Sequence, residues 1–317
     1  MSNASNNQGR AYEFICLNTL YEAISKIRPA NIIKNSSYDA AEKAWEILEP
    51  LNQSLYTLSA KSTIDTIFAL EPNIIEESTD ILNLYIQIDQ RGEVADVRDI
   101  IIERKDIIWE IGLSIKHNHM AVKHSRIAKN LDFGEKWYGV PCSEEYWNDV
   151  KPTFDFLEIE KKKGTYFCDL KSKKDQVYVP LLEAFIKEIK KQVYTNKAVP
   201  RSMVEYLLSK FDFYKVISID NRRLTTIQSF NMYGTLNLPS KEKEPEIKVP
   251  IIKLPTKLLH IDFKPNSKTT VIMCFDNGWS FSFRIHNAKD IIESSLKFDI
   301  QIVGIPAQVD IKYNCKW

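Results

Sequence analysis

The chain has no run of 18 apolar residues, so a helix crossing a membrane is not expected. It has few cysteines: Cys16, Cys142, Cys168, Cys274 and Cys315 are odd in number, scattered and without a CxxC pair. That spacing argues against a disulfide framework and against a cysteine-built zinc site. The start, MSNASNNQGR, lacks the basic-then-apolar pattern of a signal peptide, and a cytoplasmic protein is expected. No internal repeat is present. Charge is nearly balanced, with a formal net of +1, but it is uneven. The stretches IKHNHMAVKHSRIAKN, EKKKGT and KSKKDQ carry local positive excess that can face a polyanion. What remains is 317 residues, 44% hydrophobic and 27% charged, the balance of an ordered globular chain of one large or two ordinary domains.

Residues 10 to about 76 read as helical. GRAYEFICLNTLYEAISKI repeats Phe14, Leu17, Leu20, Tyr21 and Ile24 at helix spacing, and SSYDAAEKAWEILE opens on a Ser/Asp-rich cap. Three β-rich runs follow, ILNLYIQI, VRDIIIER and DIIWEIGLSIK, giving strands near 82–88, 97–104 and 107–116 in a meander. A basic, helix-prone segment comes next. EEYWNDVKPTFDFLEIEKKK and VPLLEAFIKEIKKQVY then read as amphipathic helices, and from about Tyr214 the pattern returns to strands. LPSKEKEPEIKVPIIKLP reads as a surface loop. The expectation is a mixed α/β fold. Residues 1–155 would hold a helical flank and a core sheet, and residues 156–317 a helical and β-rich part.

The third strand runs from an apolar pattern into cationic groups, WEIGLSIKHNHMAVKHSR. Side chains alternate, so Glu110, Gly112, Ser114 and Lys116 share one face, and Ile111, Leu113 and Ile115 the other. The strand before it begins DVRDIII, with Asp96 and Asp99 at its entrance. An acid opening one strand and a lysine closing its antiparallel neighbour converge at one sheet edge. Such a pair can hold a divalent cation and set an ammonium beside a water and a phosphate. The plainer reading is a surface ion pair of small energetic value. His119 and His124 are five apart, off the register that puts two imidazoles on one helical face, which argues against a metal role for His117, His119 and His124.

The order acid, strand, strand, lysine resembles the PD-(D/E)xK nuclease core. NNQGRAYEF, DVRDIII, WEIGLSIKHNH, VKHSR, LDFGEKWYG and WSFSFRIHNA with SLKFDIQIVG together resemble the HaeIII family of type II restriction endonucleases. The resemblance implies cleavage of double-stranded GGCC to blunt ends with 5′-phosphates, Mg2+ as cofactor, and a cognate cytosine methyltransferase protecting host DNA. Carried over by position, Asp99 matches the acid of the second core strand and Lys116 the lysine of the third. Ser114 departs from the pattern, since the superfamily usually has Asp or Glu there and a hydroxyl cannot supply a second negative charge. Glu13, in the first helix, looks like the helix glutamate that many of these nucleases aim at the metal, and ranks first as replacement. Glu110 follows, about 13 Å from position 114 along an extended strand, and Asp96 is third. Each of these acids also reads as a surface or capping carboxylate.

On this reading Mg2+ sits on Asp99, a second carboxylate and the Ile115 carbonyl, and Lys116 orients the attacking water. Asn118, Lys123, His124 and Arg126 are expected at a helix entry touching phosphates. In WSFSFRIHNA, Trp279, Phe281, Phe283 and Ile285 point one way and Ser280, Ser282, Arg284 and His286 the other. Guanine is read by bidentate donors. Arg284 and Asn287 therefore lead as base-contact candidates, followed by Arg201, Arg222, Arg223 and Lys297. A palindromic target fits a homodimer, and a monomer cutting one strand at a time fits as well. Two other readings stay open: a DNA-binding protein with degraded catalysis, motivated by Ser114, and an α/β protein whose acid and lysine are only structural.

Overall fold

The computed structural model describes residues 2–88, 96–117 and 125–317. The first helix, α1 (Ser2–Ile24), buries Leu17, Leu20 and Ile24 as its spacing predicts, together with Tyr12 and Cys16, while Phe14 and Tyr21 are only partly buried. A short strand β1 (Ala30–Ile32) leads into α2 (Ser36–Glu46). Asn35 caps α2, its side-chain oxygen accepting from the Ser37 and Tyr38 N–H groups at 3.0 Å each. Then come α3 (Pro50–Lys61), α4 (Ile64–Leu70), α5 (Pro72–Ile75), β2 (Leu82–Ile86), β3 (Ile100–Arg104) and β4 (Trp109–His117).

The middle of the chain gives β5 (Arg126–Ala128), α6 (Phe133–Tyr138), α7 (Glu144–Lys162), α8 (Val179–Thr195) and α9 (Val199–Leu207). Ser143 caps α7, and Glu144 and Glu145 at its start with Lys161 and Lys162 at its end suit the helix dipole. The remaining strands are β6 (Phe213–Ile219), β7 (Leu224–Phe230), β8 (Leu258–Phe263), β9 (Thr270–Phe275), β10 (Ser280–His286), β11 (Ser295–Gly304) and β12 (Tyr313–Lys316). Residues 238–257 carry no helix or strand, as the Lys/Glu/Pro composition predicts.

Two compact units share this chain. The first takes Met1–Met120, Lys210–Ile252 and Ala307–Trp317, and the second takes Ala121–Ser209 and Lys253–Pro306. Residue 155, where the sequence suggests a boundary, lies inside α7. The chain returns to the first unit because β6 pairs with β4 across roughly a hundred residues, a partner that local patterning does not name.

The first unit is built on a seven-stranded sheet in the order β1-β2-β3-β4-β6-β7-β12. β1 with β2 and β4 with β6 are parallel pairs, and the others are antiparallel. Ile100, Ile102, Ile111, Leu113, Ile115, Tyr214 and Val216 join Tyr12, Leu17 and Leu20 in one core. A buried ionic cluster braces the same unit. Arg104 donates to Glu76 Oε2 at 2.6 Å and to Asp80 at 2.8 and 2.9 Å, and Arg28 also reaches Asp80. The Arg104 hydrogen bonds hold the Asp80 carboxyl well below the usual range.

The second unit is built on a five-stranded sheet in the order β5-β11-β10-β9-β8. Its core is aromatic: Phe133, Trp137, Phe185, Phe283 and Phe298 meet with ring centroids 5.1–6.1 Å apart. Trp279, Phe281, Phe283 and Ile285 are all buried and Arg284 is exposed, the alternation read in WSFSFRIH.

Candidate active site

β3 and β4 form an antiparallel pair that matches Ile100 with Leu113 and Arg104 with Trp109. Continuing the ladder by one residue, the Asp99 N–H donates to the Leu113 carbonyl at 2.8 Å and sets Asp99 across from Ser114. The site follows from that register. Asp99 Oδ2 accepts from the Ile115 N–H at 2.6 Å, the Lys116 ammonium at 3.0 Å and the Ser114 hydroxyl at 3.4 Å. Asp99 and Lys116 are partly exposed, at 23% and 28% of their side-chain surfaces. Burial works against the Lys116 ammonium, yet the carboxylates of Asp99 and Glu13 outweigh it and raise its pKa.

Glu13 reaches this site from α1. It lines, with Asp99, Arg10 and Gln87, a cleft of about 140 Å³. Asp99, Glu13 and the main chain at Ile115 offer hard oxygen donors, the kind Mg2+ prefers, and Mg2+ keeps several waters so that two carboxylates suffice. The residues therefore fit the ion, although no cluster of three or more His, Cys, Asp or Glu occurs among the described residues.

The other two proposed replacements are committed elsewhere. Arg98 holds Asp96 through two bonds of 2.9 Å and Glu110 Oε1 through a third of 2.8 Å. Its aliphatic stem lies against Gly112, where an added Cβ would come within 2.0 Å of it. Strand β4 does not bend Glu110 toward Asp99; the arginine draws Glu110 and Asp96 together instead. Asp96 lines the Asp99 cleft, but both its oxygens serve Arg98. Reading DVRDIII for its acids alone passes over the arginine between them.

Two residues that spacing did not single out belong to this region. Lys215 on β6 pairs in register with Ser114 and is only 7% exposed. Burial first, and then the nearby Lys116 charge, bring its pKa down to about 8. Asp220, just after β6, meets His117 Nε2 at 2.7 Å while His117 Nδ1 lies 3.1 Å from the Tyr56 hydroxyl. Both imidazole nitrogens thus have protein partners. YKVISID hid these two residues because it reads as an ordinary core strand.

The nucleic-acid candidates divide by location. Asn118, Lys123 and His124, like His119, lie outside the described residues. Arg126 is in strand β5 rather than at a helix entry, because it pairs with Lys297 of β11. Lys297 in turn pairs with His286 of β10, so Arg126, Lys297 and His286 form one cross-strand row. Arg284 stands two residues along the same face, matched with Asp299. Asn287 is held in the loop after β10: its amide donates to the Lys289 and Ile291 carbonyls and its oxygen accepts from the Glu293 N–H. Arg222 and Arg223 occupy the β6–β7 turn, at the end of the sheet where β4 delivers Lys116, and Arg223 lies 5.2 Å over the Trp317 ring. Arg201, exposed on the otherwise largely buried α9, pairs with Glu205 at 2.8 Å.

A mixed sheet in which an acid enters one strand and meets the lysine closing its antiparallel neighbour defines the restriction-endonuclease-like class. The model of the HaeIII restriction endonuclease family matches residues 9–306. The type II restriction enzyme HaeIII of Haemophilus aegyptius is 53% identical over 310 residues, 98% of this chain and 97% of that protein. No solved structure matches the chain. The chain belongs to the HaeIII restriction endonuclease family, and it is a type II restriction endonuclease acting on phosphodiester bonds of DNA. Among the described residues no helix is long and apolar enough to cross a membrane.

Proposed function

We propose that this endonuclease cleaves double-stranded GGCC to blunt ends with 5′-phosphates at the Asp99–Lys116 site, with Mg2+ as its cofactor. The target follows the family and its curated relative. The observation that carries the site is the 3.0 Å Lys116–Asp99 contact beside a cleft that also takes Glu13. Asp99, Glu13 and the Ile115 carbonyl would hold the ion, which would stabilise phosphate charge and acidify a water. Ser114 and the Ile115 N–H orient the Asp99 carboxylate. Lys116 steers the water and offsets phosphate charge, and its raised pKa keeps it protonated at neutral pH. No protein nucleophile is needed.

Base reading falls to the polar face of the five-stranded sheet, with Arg284, His286, Lys297 and Arg126. Strands can enter the major groove, where arginine and lysine reach guanine O6 and N7. Arg222, Arg223 and Arg201 contact the backbone, as Asn118, Lys123 and His124 do on the same reading. The enzyme works in the cytoplasm, beside a cytosine methyltransferase that shields host sites, and a twofold pair of chains suits the palindrome.

Digestion of DNA of known sequence by wild type and Lys116→Ala, with Mg2+ and with EDTA, tests this. Wild type is expected to give discrete fragments ending in GG and CC only with Mg2+, and Lys116→Ala to lose roughly 10²-fold or more in rate while still binding DNA. Full activity in Lys116→Ala would remove the site assignment.

A further inference from the structure

We propose that Lys215 is the second fixed cation of this site, standing in register with Ser114 where an acidic side chain would draw in more metal, and that it restricts each chain to one divalent ion. The inference rests on the Asp99–Lys116 site being the place of cleavage. In a parallel pair, in-register side chains leave the same face from strands about 4.8 Å apart. An acid at position 114 would therefore face Lys215 on one side and Asp99 on the other. The chain has a serine there, 2% exposed and spent on Asp99.

Lysine is rarely taken out of water without an ionic reason. Lys215 is buried where the charges of both Lys116 and Asp99 act on it, so its positive charge is part of the site's own field. Asp99 acts on both Lys116 and Lys215, and Glu13 acts on Lys116. A single hydrated ion needs only the two carboxylates. A second ion would enter beside two ammonium groups with no carboxylate at position 114 to receive it. Lys215 thus acts through the site's charge, as a positioning residue, in the place that a further metal would fill.

The test counts ions. Ca2+, which shares the preference of Mg2+ for oxygen ligands, is titrated calorimetrically into the full chain bound to an uncleavable GGCC duplex. Wild type is expected to take one ion per chain, and Ser114→Glu combined with Lys215→Met to take two. Lys215→Met alone is expected to cleave roughly 10²-fold more slowly with DNA affinity unchanged, and Lys215→Arg to stay within about tenfold of wild type. Two ions in wild type, one in the double variant, or near-normal cleavage by Lys215→Met would overturn the proposal. Asp99→Asn separates the two levels. Ca2+ binding retained in that variant overturns the site itself, whereas binding lost there alongside two ions in wild type overturns only the role of Lys215.

Discussion

Arg104 and Arg284 are both strand arginines, and the two sheets use them in opposite ways. Arg104, in the seven-stranded sheet, is 1% exposed and surrounded by Glu76, Asp80 and the Asn73 carbonyl. Arg284, in the five-stranded sheet, is exposed on a face whose reverse is packed with aromatic rings. The first sheet keeps its charges in closed groups, as at Arg98 with Asp96 and Glu110 and at Lys116 with Asp99. The second exposes Arg284 beside a cross-strand row in which Arg126 donates to the Ser295 hydroxyl at 2.7 Å. Chemistry on a phosphate needs dipoles and charges already aimed before substrate arrives, while reading a base needs donors with capacity left for the base edge. The contrast between the closed Arg104 and the exposed Arg284 is what the proposed division into a cutting and a reading sheet requires.

The sharpest way to break this comparison is to remove the closed charges. Arg104→Met takes the charged partner from buried Glu76 and leaves Asp80 with Arg28 alone, and urea unfolding should show a loss of about 3–5 kcal/mol. Arg284→Ala should leave that unfolding curve within about 0.5 kcal/mol of wild type. In duplex-binding measurements it should instead weaken target affinity by about 1–3 kcal/mol and relax the preference at one base position. Equal stability losses for the two arginines would erase the distinction.

A pH effect belongs to the seven-stranded unit. Burial raises the Glu71 carboxyl to about 7 against the bonds it accepts from Tyr214 and Asn237, and its Oε2 is buried with no partner among the described residues. The folded state then holds a proton that the unfolded chain releases near the ordinary glutamate range, so this contribution is full in acid and is lost as pH rises through about 7. Melting temperature followed from pH 5 to 8 should fall more in wild type than in Glu71→Gln. The smallest effect is expected at Arg201, whose exposed pair with Glu205 is the kind that contributes little: Arg201→Ala should change stability by no more than about 0.5 kcal/mol.

Much of this architecture was legible one strand or helix at a time. Helix spacing placed α1, alternation placed the packed and polar faces of β4 and β10, and Asp99 and Lys116 were readable as converging because antiparallel neighbours bring a start and an end together. The resemblance to a family supplied the expected target and the proposed cofactor, which periodicity does not encode. Arg98 was not legible as the partner of Asp96 and Glu110, because charge pairing depends on which side chain the sheet turns inward. The loop bonds of Asn287 were not legible for the same kind of reason: its amide satisfies backbone groups that only the folded loop brings near.

The sequence by itself determined the alternating faces, the helix stripes and the acid-to-lysine order, since these depend on the 2.0 and 3.6 periods of short segments. Only the tertiary structure decided that β6 lies beside β4, that Lys215 faces Ser114 and that Arg126, Lys297 and His286 fall in one row. Those pairings join residues far apart in the chain. Their partners are selected by burial of the whole sheet, which no local pattern can express.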